Sequence, residues 1–342
     1  MYISLILIAP IFIYLINKYL QLRNFLPSLS GDKHQSYVGK ESIPLSGGLF
    51  IILSIFIIFI TEIKFSFIFF LVVFLIGFFS DLRKLNSPRT RFILQILTIF
   101  FFVFLNDLGI SNTRVFFLDY MLDYKIISYL FVTFCLLIVI NGSNFIDGLN
   151  GLTLGYFFCL LLILFNLAVF KVLIPDDKIL ICLFIMTYLI LFNFFNKLYL
   201  GDSGSYLLGF IFGTLLIILF KNTENISTFF IILLLWYPCY ENLFSIIRKY
   251  KLSLSPLKPD NKHFHQLLYY FLKKKFNLSS ILSNNLSSII INIFNLSILY
   301  IGSKDIYNGQ LQVSLISANI FLYTFLYLRL FEFRFVKKIN HY

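Results

Sequence analysis

Charge is scarce in this chain: 13% of its 342 residues are Asp, Glu, Lys or Arg, against roughly 25% in an ordinary soluble domain. That shortage excludes a water-facing surface over most of the length. Cysteine is sparse too, and Cys135, Cys159, Cys182 and Cys239 all lie in apolar runs with no C-x-x-C pair. A thiolate zinc site and a disulfide framework are therefore not expected. The chain has no G-x-x-x-x-G-K-[ST] loop and no G-x-G-x-x-G turn, which argues against P-loop ATP hydrolysis and against a dinucleotide fold. Nothing points to a nucleic-acid partner. No internal repeat is visible. The first apolar run has no Lys or Arg before Lys18 and no small-residue cleavage site, so it reads as a retained helix rather than a secretory signal.

Apolar residues are what the chain has in abundance, at 59% of the total and a mean hydropathy of +0.88. A membrane helix takes about 20 such residues at ~1.5 Å rise each, and on that measure there are about eleven spans. They run roughly over 2–20, 44–61, 65–80, 92–106, 126–140, 152–174, 179–195, 205–220, 228–245, 280–301 and 312–331. The expected fold is an all-α integral membrane protein, a single polytopic domain over 1–342 with no soluble domain between spans.

With the N-terminus periplasmic, the loops at about 21–43, 81–91, 141–151, 196–204 and 246–279 share one face with the C-terminal tail. That face collects most of the 28 Lys and Arg, while the 16 acidic residues divide evenly between the two sides. The net charge of +12 is thus one-sided, as cytoplasmic loops require. Part of the excess serves anionic lipid headgroups, at about 1 kcal/mol per residue.

The chemistry-bearing residues follow the same asymmetry. The opposite face has short connections and one longer loop, Asp107 to Lys125, that reads as lying along the membrane surface. The basic face carries Asp81, Asp147 and Asp202, Lys33, Lys258 and Lys262, and His34, His263 and His265 among glycine-rich bends. The stretch INGSNFIDGLNGLTLG (140–155) puts one aspartate among three asparagines and four glycines between two apolar runs. Alone, an aspartate at a helix end is most often a cap, and Asp81 could equally cap a helix. Ionisable groups at membrane depth are nonetheless functional candidates by default. Asp202, in GDSGS at a helix start, suits a phosphate or its metal. The HFH of 263–265 matches no common zinc spacing and, beside Lys258 and Lys262, reads as an anion-binding loop. Carboxylates in a field of cations suggest magnesium, or manganese, with a polyphosphate.

In this order and spacing the motifs resemble the polyprenyl-phosphate N-acetylhexosamine-1-phosphate transferases, the family that includes phospho-MurNAc-pentapeptide translocase. The resemblance covers most of the chain, from Asp32 to His265. It rests on Asp32-Lys33-His34 with Pro44 and Gly47-Gly48; Ser80-Asp81 with Ser87-Pro88 and Arg91; Asn144, Asp147-Gly148-Leu149 and Gly151-Leu152; Gly201-Asp202 with Gly204-Ser205; and Ser255-Pro256, Pro259-Asp260, His263 and His265. The chain departs from the family where Ser80 replaces the first of two aspartates, Asn150 an aspartate and Gln266 a third histidine.

The resemblance implies an enzyme of the bacterial inner membrane that moves N-acetylhexosamine 1-phosphate from a UDP-sugar to undecaprenyl phosphate. The product would start a lipid-linked glycan such as O-antigen, and a homodimer is common in the family. Asp81, Asp147, Asp202 and His263 are the catalytic candidates, with Asp202 and Asp147 on the metal. Lys33, Asn144, Asn150, Lys262 and His265 are the substrate contacts. Alternatives are the pentapeptide translocase reaction, a transporter or flippase, which would place its polar residues near mid-bilayer, and a binding protein that has lost catalysis.

Overall fold

A computed structural model describes residues 2–27, 43–60, 66–223, 225–251, 253 and 261–336. The helices are α1 (Tyr2–Leu22), α2 (Gly47–Ile58), α3 (Phe67–Asp81), α4 (Pro88–Leu105), α5 (Phe116–Leu122), α6 (Lys125–Ile146), α7 (Leu152–Phe165), α8 (Ala168–Lys171), α9 (Asp176–Phe194), α10 (Gly201–Asn222), α11 (Thr228–Leu234), α12 (Trp236–Lys251), α13 (Phe264–Lys275), α14 (Ser280–Gly302) and α15 (Gly309–Phe331). A π-helical turn, Glu332–Val336, follows α15. Among the described residues there is no strand, only an isolated antiparallel bridge between Pro27 and Pro44. Caps mark several starts. Ser87 accepts from the Thr90 N–H ahead of Pro88, and Ser279 and Asn308 do the same for α14 and α15.

Every expected span coincides with a helix, but they are not all of bilayer length. Among the described residues six helices (α4, α6, α9, α10, α14 and α15) are long and apolar enough to cross a membrane, or seven if the bent pair α11–α12 is one span. Helices α2, α3 and α7 have 12, 15 and 14 residues, short of the ~20 that a straight crossing takes. The structure is that of a multi-pass membrane protein.

Two expected spans are broken. The run 152–174 divides into α7 and the single turn of α8. The run 228–245 divides at Leu235, and its halves meet at 77°. Pro238 accounts for the second break, because it has no N–H to give the carbonyl four residues back and its ring crowds that turn. The carbonyl left over is that of Leu234, and the buried Tyr156 hydroxyl donates to it at 2.8 Å. In a lipid environment such a group has no water to turn to.

Helix α10 is the most enclosed of the six helices of spanning length. Its most apolar stretch is 78% buried inside the protein, against 22% for α4 and for α15. Phe70 of α3 and Phe102 of α4 meet Phe210 at 4.7 and 4.9 Å between ring centres, and Phe157 of α7 stacks on Phe212 at 4.8 Å. Such pairs add about 0.5–1.5 kcal/mol each beyond area burial. At one end of the bundle the chain before α2 runs beside the chain before α10, with Tyr199 N–H on Pro44 O and Gly47 N–H on Tyr199 O, both 2.9 Å. The ends of α3 and α6 and the start of α13 lie at this same end.

Replacing Tyr156 by Phe removes the partner of the Leu234 carbonyl and should cost about 1–3 kcal/mol of stability. Unfolding in detergent, followed by thermal shift, checks this; an unchanged midpoint means the bend does not need the hydroxyl.

Candidate functional site

The first four N–H groups of a helix lack partners within it, and α10 begins inside the protein, where Ser203 and Ser205 are fully buried. Asp81, the last residue of α3, supplies the acceptors. One carboxylate oxygen takes the Asp202 N–H at 2.8 Å; the other takes the Ser203 N–H at 3.0 Å and the Ser203 hydroxyl at 2.6 Å. The approach depends on Gly201, whose φ of +76° suits glycine and whose missing Cβ would sit 2.7 Å from the Asp81 carboxylate. Asp81 is therefore a cap, as one sequence reading allowed, but of a helix 120 residues away rather than of its neighbour.

That cap aims the next side chain. The Asp202 carboxylate forms an ion pair with Arg91 of α4, accepts from the Ser80 hydroxyl at 2.6 Å, and takes the Asn144 amide of α6 at 2.7 Å on its other oxygen. Arg91 also donates to Ser80 at 2.6 Å. With side-chain exposures of 20% and 28%, this pair is more shielded from water and salt than an exposed one. Asp147 follows α6 directly, with φ −78° and ψ 41°. Burial, then the charges of Asp202 and Asp81, hold its carboxyl above the usual carboxylate range.

The histidine segment joins the same end. His263 and His265 stack nearly parallel, ring centres 5.6 Å apart, and Phe145 packs against His263 at 5.5 Å. His265 lies on Gly148, where an added Cβ would stand 2.3 Å from its Nε2; a side chain at 148 would push the histidine segment off the end of α6. Gln266 accepts the His263 N–H at 3.2 Å, the N3 half of a capping box.

Several expected contacts sit differently. Asn150 is 4% exposed; its N–H goes to Asn284 and its amide to Asn196, both at 2.7 Å, so it belongs to an inner asparagine network. The Lys262 ammonium lies 6.0 and 5.7 Å from the Phe331 and Phe335 rings. Lys33, Lys258, His34 and the segment 254–260 lie outside the described residues. Sequence reasoning named Arg91 only as part of a motif and overlooked Glu241, a buried carboxylate against His263. The missed signal was a lone glutamate in the apolar run LLLWYPCYENLFS, since an ionisable group at such a depth is itself a functional sign.

Among the described residues no three His, Cys, Asp or Glu side chains form a metal cage. Both oxygens of the Asp202 carboxylate are taken up by side chains, one by Arg91 and Ser80 and the other by Asn144.

Residues 63–220 match the family model described as glycosyl transferase family 4. Over 238 residues the chain is 26% identical to an undecaprenyl-phosphate alpha-N-acetylglucosaminyl 1-phosphate transferase of Thermotoga maritima, covering 66% of this chain and 68% of that one. It is 26% identical over 170 residues to a phospho-N-acetylmuramoyl-pentapeptide-transferase of Clostridioides difficile, covering 45% of this chain and 52% of the relative. A protein of the same name from Staphylococcus carnosus is 29% identical over 252 residues, covering 66% and 76%. The resemblance carried by the motifs is thereby shown.

Asp81→Asn leaves one acceptor where the start of α10 uses two and removes the charge at its positive end, at a cost of about 1–2 kcal/mol. A lowered unfolding midpoint in detergent is the expected result; no change would mean that the cap contributes nothing.

Proposed function

We propose that this chain, a divergent relative of the family 4 glycosyl transferases, transfers an N-acetylhexosamine 1-phosphate from its UDP-sugar to undecaprenyl phosphate. The observation that supports it is the convergence, at one end of a membrane bundle, of Asp81, Asn144, Asp147 and Asp202 with the His263–His265 segment. The basic excess on the loops of that end favours placing it in the cytoplasm of a bacterial inner membrane, with the N-terminus periplasmic. The shorter apolar helices then count as crossings too, to make about eleven, if the bilayer thins to meet them.

In this scheme an oxygen of the lipid phosphate attacks the β-phosphorus of the UDP-sugar. The bond from that phosphorus to the bridging oxygen breaks, and UMP leaves with the electron pair. The nucleophile needs no strong base, because a phosphate monoester with a second pKa of about 6 is already largely ionised at neutral pH. What the protein must supply is position and charge compensation. Asp202, with Asp147, would hold a magnesium or manganese ion, whose chemistry when bound would be charge compensation for the substrate phosphates. Asn144 and Arg91 keep the Asp202 carboxylate facing the site. Arg91 and Lys33 would provide positive charge for the phosphates, and the His263–His265 segment would contact them. The product would begin a cell-envelope glycan such as O-antigen.

A second reading is favoured by the two pentapeptide-transferase relatives: the same chemistry on a peptide-bearing sugar. One assay separates them. UMP release is measured with purified protein, undecaprenyl phosphate and a panel of UDP-sugars, with and without Mg²⁺. We expect lipid-dependent release from a UDP-N-acetylhexosamine, lost without metal and reduced by about 10²–10³-fold in Asp202→Asn. Because one phosphoanhydride replaces another, added UMP should drive the reaction backwards. Release from the peptide-bearing substrate alone selects the second reading; no release from any donor by folded protein refutes both.

A further inference from the structure

Glu241 has no role in the reaction as described, yet it is a fully buried carboxylate with three hydrogen-bond partners. It lies on α12 just beyond the bend and is 0% exposed. One oxygen meets His263 Nδ1 at 2.9 Å and the Phe264 N–H at 3.4 Å; the other accepts from the Tyr323 hydroxyl of α15 at 2.6 Å. A buried carboxylate survives only when it is paired and hydrogen-bonded. Three elements are arranged to provide that here.

The consequence falls on His263. An ionised carboxylate has no proton to donate, so the proton in this contact sits on Nδ1. The ring cannot turn over without losing the Glu241 contact, and its faces are fixed as well, by His265 at 5.6 Å and Phe145 at 5.5 Å. Phe145 lies between Asn144, which binds Asp202, and Asp147. His263 is therefore held in one orientation and one tautomer beside the carboxylate cluster, and the residue that selects both is Glu241. A buried carboxylate that orients a working histidine is a recurring device in catalysis.

We propose that Glu241 is a positioning residue for the transfer reaction, fixing the orientation of His263 and the proton on its Nδ1 beside the carboxylate cluster. This role rests on the transferase reading and adds to it a residue that no motif contains.

The test is a double-mutant cycle on UMP release by the full-length protein, with E241Q, H263N and the two combined. Each single change is expected to lower kcat by roughly ten- to a hundredfold, the scale for losing a partner that orients a working side chain, with KM for the UDP-sugar altered less. The combined variant is expected to be no slower than H263N alone, because a residue acting only through His263 has nothing left to position. Losses that multiply in the combined variant would overturn the proposal and make Glu241 a structural tie between α12 and α15. A second readout does not depend on turnover. The chain has four histidines, so ¹⁵N-histidine labelling, with H263N for assignment, reads the tautomer of His263 directly; a bare Nδ1 in the wild type would also overturn the proposal. Should E241Q not yield folded protein, E241D carries the cycle. A wild type inert with every donor refutes the transferase reading and this role with it, an outcome distinct from additive losses in an active enzyme.

Discussion

The site depends on a helix that begins inside the protein, with Ser203 and Ser205 buried in its first turns. Helix α10 is the most enclosed of the helices of spanning length, and its first N–H groups need acceptors that its own sequence does not supply. Asp81 supplies them from the end of α3. This contact ties the two helices at one level, and Asp202 follows directly from it, one residue into α10 and already oriented. Arg91, Ser80 and Asn144 then fill the shell of its carboxylate, drawing α4 and α6 to the same point. A carboxylate that the sequence offers as a chemical group thus serves first as architecture, and the chemistry assigned to Asp202 depends on it.

Much of this was legible in the chain. Apolar runs fell on helices, two of them broken and several shorter than a bilayer crossing, since hydropathy over a window of this length leaves few alternatives. Among the described residues, Asp81, Asn144, Asp147, Asp202 and the His263–His265 segment do meet at one end. What could not be read were the bend at Leu235 and the partners across the fold. Pro238 signalled the bend, but the apolar run around it is continuous, and the hydroxyl that makes the break tolerable comes from Tyr156, far away in sequence. Helix length was over-read for the same reason: composition reports how long a segment is apolar, whereas the turns that end α2, α3 and α7 early are set by what packs against them.

Asn150 illustrates the limit at the site. Its motif suggests a substrate contact, yet its amide closes a network with Asn196 and Asn284 under the start of α7. There an amide is the better group, because Asn196 accepts through its side-chain oxygen and a carboxylate would have nothing to donate. Gln266 is similar. It stands where the family usually has histidine, and its side chain takes up the N–H of His263 at the start of α13, so the residue in the third place helps to hold the first.

The substitution at Ser80 is a matter of charge. An aspartate there would stand beside Asp202 and Asp81, and at about 4 Å and an effective dielectric of ~20 two like charges repel by about 4 kcal/mol. A bound cation between them would offset that repulsion; without one, the cluster would open or a carboxyl would take up a proton. With serine in place, the hydroxyl donates to Asp202 and accepts from Arg91, and one guanidinium balances the carboxylate. The site thereby stays assembled on its own residues. The three departures from the family pattern therefore act in one direction: each puts a neutral side chain where a charge or a proton carrier is usual, and each of those side chains bonds to its neighbours in the fold. Asp147, Asp202 and the two histidines, which the proposed reaction uses, remain at this end beside Asp81 and Arg91.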